Sequence, residues 1–150
     1  MCNENLTEKE FKEIKKIFIF NDIKNAVFYK EKEFSYYFPS FYNEEEFKDN
    51  LKDSDSFYPF LAEYFYNQRT EKRLYPKMLE SDELVLLFYQ YIDNFVKGFV
   101  KDYFLFELDL QNSVTALYLR ANQIQDPNKI IQFTDESANF IKSNSPDFGL

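Results

Sequence analysis

Two six-residue segments carry the side chains best suited to hold something. Residues 22–27 read Asp-Ile-Lys-Asn-Ala-Val and residues 109–114 read Asp-Leu-Gln-Asn-Ser-Val, 87 positions apart when Asp22 is set against Asp109. An ionised Asp only accepts hydrogen bonds, whereas an Asn amide donates and accepts, and the two stand three positions apart on a helix. Both pairs fall on apolar stripes. Phe18, Asp22 and Asn25 are spaced by four and three, and Phe106, Asp109, Asn112 and Ala116 share one helix face. A carboxylate on such a stripe is costly unless it gains hydrogen bonds or a cation. The pattern therefore predicts side chains that pin a neighbouring helix end or loop; a ligand site and a partner contact are the other uses it allows. Arg69, Arg73 and Arg120, the only arginines, are the candidate cationic partners.

The remaining reactive residues form no machinery. Glu107 and Asp109 are two positions apart, so on a helix they point in different directions, which argues against joint acid/base work. The chain has no histidine, which removes Ser-His-Asp and Cys-His arrangements and His-bearing zinc or di-iron sites. Cys2 has no neighbouring base and reads as an incidental thiol. Gly98 and Gly149 are the only glycines, so there is no Gly-rich phosphate loop. No EF-hand loop is written, and Glu44-Glu45-Glu46 suits the positive end of a helix dipole. The expectation is a non-enzyme with no cofactor and no metal.

The elements that would position the Asp/Asn pairs are helices. Thr7 with Glu10, and Asn43 with Glu46, spell two capping boxes, with Leu6/Phe11 and Tyr42/Phe47 placed as hydrophobic staples. The first box opens a helix expected to run to about residue 30, with Phe11, Ile14 and Phe18 as its apolar stripe and Glu8, Lys12 and Lys16 solvated. Residues 31–42 read as an aromatic-anchored connector. A short helix from Glu44 to about residue 52 follows, then a break at 53–56 and a helix from about Pro59 to residue 73. From Ser81 to about Asn122 the pattern is nearly continuously helical, with a joint near 94–98. Asp126-Pro127-Asn128 reads as a turn, and Thr134 as the cap of a last helix. The fold class expected is all-α: a bundle of long antiparallel helices with a duplicated helical module, residues roughly 7–80 and 81–150 within one helical domain.

Composition agrees. Two glycines and five prolines are too few for the tight turns of an all-β fold, and 19 Phe with 12 Tyr supply a large aromatic core. A net charge of −8 excludes a phosphate-reading basic face, hence no nucleic acid, and disfavours direct attraction to an anionic membrane. No apolar run approaches the roughly 20 residues of a membrane span, so no direct membrane insertion is expected. The opening MCNENLTEKEF lacks the apolar stretch of a signal peptide, and one cysteine makes no internal disulfide, which together point to the cytoplasm.

The repeated Asp-x-x-Asn-x-hydrophobic motif on long helices resembles the C subunit of V-type and archaeal-type ATP synthases, called the d subunit in eukaryotes. The resemblance is carried by FIFNDIKNAVFY, YNEEEFKDNL, FVKDYFLFELDLQNSVTALYLRAN and the closing SPDFGL, and the chain looks like a bacterial branch of uncharacterised proteins encoded beside V-type ATP synthase genes. The most specific stretch is Phe106-Glu107-Leu108-Asp109-Leu110-Gln111-Asn112. Many members of that branch carry Asn where this chain has Asp109, so the resemblance demands no charge there. It implies a non-catalytic coupling subunit, peripheral to the membrane at the cytoplasmic face, with the rotor ring and central shaft as partners. Asp22, Asn25, Glu107, Asp109, Asn112 and Arg120 would be its structural or interface residues. Members extend beyond both ends of this chain and the full C subunit has three modules, so the chain is expected to be truncated, which points to homodimerisation or marginal stability. The rival reading is a helical protein–protein interaction module unrelated to ATPases.

Overall fold

A computed structural model describes residues 6–29, 31, 33–76, 78–126 and 129–131. Among these the regular structure is helical throughout, with no strand: α1 Glu8–Lys15, α2 Ile19–Phe28, α3 Glu44–Asn50, α4 Pro59–Thr70, α5 Glu80–Phe95 and α6 Phe99–Ala121. The all-α expectation holds. The helices are long only in the second half of the chain, 16 residues for α5 and 23 for α6, against 7 to 12 for the others. The chain divides into two compact units, Met1–Tyr91 and Ile92–Leu150, the boundary falling inside α5.

Both capping boxes form. Thr7 accepts from the Glu10 amide while the Glu10 carboxylate accepts from the Thr7 amide at 2.9 Å, and Asn43 with Glu46 does the same at 2.8 Å each way. Such boxes satisfy amides that the first helical turn leaves without intrahelical partners. The expected long first helix, however, is interrupted. Residues Lys16–Phe18 form a 3-10 turn between α1 and α2. At three residues per turn instead of 3.6, that turn overwinds the chain by roughly 60°. The stripe predicted from Phe11, Ile14 and Phe18 is exposed, and the buried face of α2 is Ile19, Asp22, Ile23, Asn25 and Ala26.

The first unit is centred on aromatic packing. Phe60 and Phe65 of α4, Phe47 of α3, Phe57 and Phe88 are buried, and they meet in edge and stacked pairs with centroids 5.1–5.4 Å apart. Each fully buried side chain of this size stabilises the fold by about 1.5–3 kcal/mol. The 31–42 connector is anchored by such rings, Tyr36 on Phe47 at 5.7 Å and Phe28 on Tyr37 at 6.1 Å. α4 ends at Thr70 rather than at 73, because Glu71 turns into the left-handed region (φ 54°) and its amide closes on the Asn67 carbonyl. The joint near 94–98 is real: α5 stops at Phe95, and Gly98, at φ 69° and ψ −153°, precedes α6 in a backbone region open essentially to glycine alone. The Lys129 amide reaches the Asp126 carbonyl at 3.2 Å, while Pro127 and Asn128 of the predicted turn lie outside the described residues. The predicted Thr134 cap and the SPDFGL segment lie outside the described residues.

Candidate functional site

Asn25, on the buried face of α2, holds one residue of the following loop by both of its peptide groups. Its Oδ1 accepts from the Tyr37 amide at 2.8 Å, and its Nδ2 donates to the Tyr37 carbonyl at 3.2 Å. One turn earlier, Asp22 takes two successive amides of the same loop, Phe41 on Oδ2 at 2.8 Å and Tyr42 on Oδ1 at 3.2 Å. Asn21 adds a bond from its amide to the Pro39 carbonyl at 2.6 Å. Asp22 and Asn25 are both fully buried. The loop has no strand or helix to satisfy its backbone, and these side chains do that work.

The second copy repeats the central element. Asn112 of α6 is buried; its Oδ1 accepts from the Ile131 amide at 3.0 Å and its Nδ2 donates to the Ile131 carbonyl at 3.1 Å. The two clamps use the same atoms in the same roles, although the held residue lies 12 positions on in one case and 19 in the other. The difference is mostly helix. α2 ends three residues after Asn25, at Phe28, and α6 nine after Asn112, at Ala121. Asp109 is half-buried where Asp22 is wholly enclosed.

None of the three candidate arginines serves Asp22. Arg69 bonds Ser54 and Arg73 pairs with Glu83 at 2.7 Å. Asp22 relies instead on backbone amides, with Lys15 as the nearby positive charge. Burial dominates over both and pushes its carboxyl up to about 7. Arg120 is exposed and makes no ion pair among the described residues, and Glu107 is half-buried. The structure thus brings Asp22 and Asn25 to one loop and Asn112 to another; it does not gather Glu107, Asp109 and Arg120 into a common site.

A buried carboxylate that sequence reading missed is Glu83. Its oxygens take Arg73 Nε and the amides of Leu74 at 2.9 Å and Tyr75 at 3.3 Å, which fixes the segment between α4 and α5. The signal was present: Glu83 stands four before Leu87 on the apolar row of α5, the same anomaly as Asp22 on α2. Like the Asn clamps, this is structural chemistry, with charge and amides holding a loop. A groove of about 450 Å³ in the first unit is lined by Glu8, Lys12, Lys15 and Phe41 among others; these are scattered surface charges with Lys15 over the Phe41 ring at 5.3 Å. Among the described residues no group of three metal-binding side chains occurs, and no helix is long and apolar enough to cross a membrane.

Compared with known families, residues 1–150 match the model of a family described as proteins of unknown function, DUF2764. The chain belongs to that family. No curated protein and no solved structure matches it.

Proposed function

We propose that the protein is a non-catalytic helical subunit associated with a V-type ATPase, coupling the membrane rotor ring to the central shaft at the cytoplasmic face, as the C subunit of that enzyme class does. The observation that carries this reading is the recurrence of the Asp-x-x-Asn motif on two helices, with Asn25 and Asn112 making the same two-bond grip on a following loop. A part that transmits torque must resist shear between its helices and loops. Buried amide clamps supply such resistance, because opening one strands polar groups at about 1–3 kcal/mol each. The role needs no nucleophile, metal or cofactor.

The test is affinity capture of the tagged protein from native membranes without crosslinking. Rotor-ring and central-shaft subunits of the V-type enzyme should co-purify in stoichiometric amounts. A complete V-type complex purified from the same cells and lacking this protein would overturn the assignment and leave the rival, a helical interaction module unrelated to ATPases.

A further inference from the structure

α6 has two apolar faces. One is buried and includes Phe104, Leu108, Asn112, Ala116 and Leu119. The opposite face presents Phe99, Phe106, Leu110, Val114 and Leu117, all exposed, continued by half-buried Tyr103 and exposed Ala121, so Phe106 does not share the face of Asn112 and Ala116 that its spacing suggested. No charged residue interrupts that second row over about 33 Å of helix. Isolated apolar side chains on a surface need no explanation, but a continuous row marks a face that another body covers. The corresponding positions in the first copy are covered already: Ile19 and Ile23 are 0% and 3% exposed where Phe106 and Leu110 are 66% and 54%.

We propose that this face of α6 is a homodimer contact, two copies packing antiparallel about Leu110. The row is a palindrome. Phe99 and Ala121, Tyr103 and Leu117, and Phe106 and Val114 are each equidistant from Leu110. An antiparallel two-fold contact places each residue against its counterpart, so Phe99 meets Ala121 and Phe106 meets Val114, large against small, as a self-complementary interface needs. The steps of four, three and four repeat every 11 residues, a spacing close to the helix's own period, so the row runs nearly straight and stays in contact along its length.

Charge selects the same partner and the same direction. Asp102 and Arg120 are exposed, about five turns apart, and on one edge of the row, and neither has an ion pair among the described residues. In the antiparallel pair they stand on a common edge with a mismatch of two positions, about 3 Å, which the long arginine side chain spans. The dimer gains two such pairs, whereas a parallel two-fold pair puts the Asp102 and Arg120 of one copy on the opposite edge from those of the other and forms neither. With on the order of 100 Å² exposed by each large side chain of the row, a pair of copies covers roughly 1,000 Å², the lower bound of a specific interface. An interface this small belongs at the weak end of specific association, about micromolar.

Sedimentation equilibrium of the full chain from about 1 to 100 µM brackets that range, and the mass should rise from 18.2 kDa toward twice that value. Asp102→Arg and Arg120→Asp should each weaken self-association at least tenfold, because every cross pair becomes like-charged. Mixed in equal amounts, the two variants should regain wild-type affinity, since each cross pair is again opposite. Leu110→Glu, which sets two carboxylates on the axis, should be monomeric with an unchanged helical circular dichroism spectrum. A wild type that stays monomeric overturns the proposal, as does a Leu110→Glu protein that still dimerises or a mixture no tighter than its components. Flotation of a monomeric wild type with phosphatidylcholine/phosphatidylglycerol vesicles would also overturn it and assign the face to a membrane. None of these outcomes depends on the ATPase reading.

Discussion

The two Asp-x-x-Asn helices, α2 and α6, do the same thing on one side and opposite things on the other. On the inner side, Asn25 and Asn112 hold a single residue of a later loop through paired bonds of 2.8–3.2 Å. On the outer side, Ile19 and Ile23 are enclosed while Phe106 and Leu110 stand open. A motif can therefore fix how a helix treats its own loop without fixing what the helix does with its far face. The clamp is local chemistry; the covering of the other face depends on what else is at hand.

The largest expected effect tests that contrast. Ile23→Asp places a charge where there is no solvent and should cost more than about 5 kcal/mol, enough to unfold the first unit. Leu110→Asp, at the corresponding position of α6, should stay within about 0.5 kcal/mol in dilute solution. Urea titrations followed by circular dichroism at low protein concentration measure both, and equal costs would erase the distinction between the outer faces.

The clamps should behave alike. Asn25→Leu and Asn112→Leu each leave an amide and a carbonyl stranded, and each should destabilise by about 2–5 kcal/mol. Lys24→Leu, on the exposed side of α2, should change stability by about 0.5 kcal/mol or less. If Asn112→Leu proved as mild as Lys24→Leu, the kinship of the two inner faces would fail.

The smallest effect concerns Asp22, whose burial raises its carboxyl from 3.8 to about 7. The folded state then holds a proton that the unfolded chain has already released. This contribution is fully present below pH 3.8 and is lost as pH rises toward 7, by at most a few kcal/mol. Asp22→Asn should flatten that part of the pH–stability curve; an unchanged slope would show that another group carries it.

The capping boxes at Thr7 and Asn43 and the joint at Gly98 were legible because their causes lie within three or four residues, in side chains of characteristic type. The burial of Asp22, Asn25 and Asn112 was legible as polar residues on apolar rows. That they pin a loop was legible as well; which loop residues they hold was not, since a backbone amide has no residue-type signature, and none of the candidate arginines serves Asp22. The 3-10 turn at Lys16–Phe18 left no mark in the sequence either; beyond it, the buried face of α2 keeps Asp22 and Asn25 and adds Ile19, Ile23 and Ala26. The Arg73–Glu83 pair could have been found by asking of α5 what was asked of α2. The open face of α6 was hidden because it, too, is apolar, and periodicity alone does not say which of two apolar faces is covered.

The held residues are Tyr37 in one loop and Ile131 in the other, yet the grip is the same, because Asn touches neither side chain through these bonds. Such a fastening is indifferent to spelling. Nineteen of the twenty amino acids present the required N–H and C=O, and only proline cannot. Lineages carrying this motif are thus free to rewrite their loops for new neighbours while the fastening stays put. A grafted loop should seat in either socket provided that proline avoids positions 37 and 131 and, in the first, the amides of 41 and 42 that Asp22 takes.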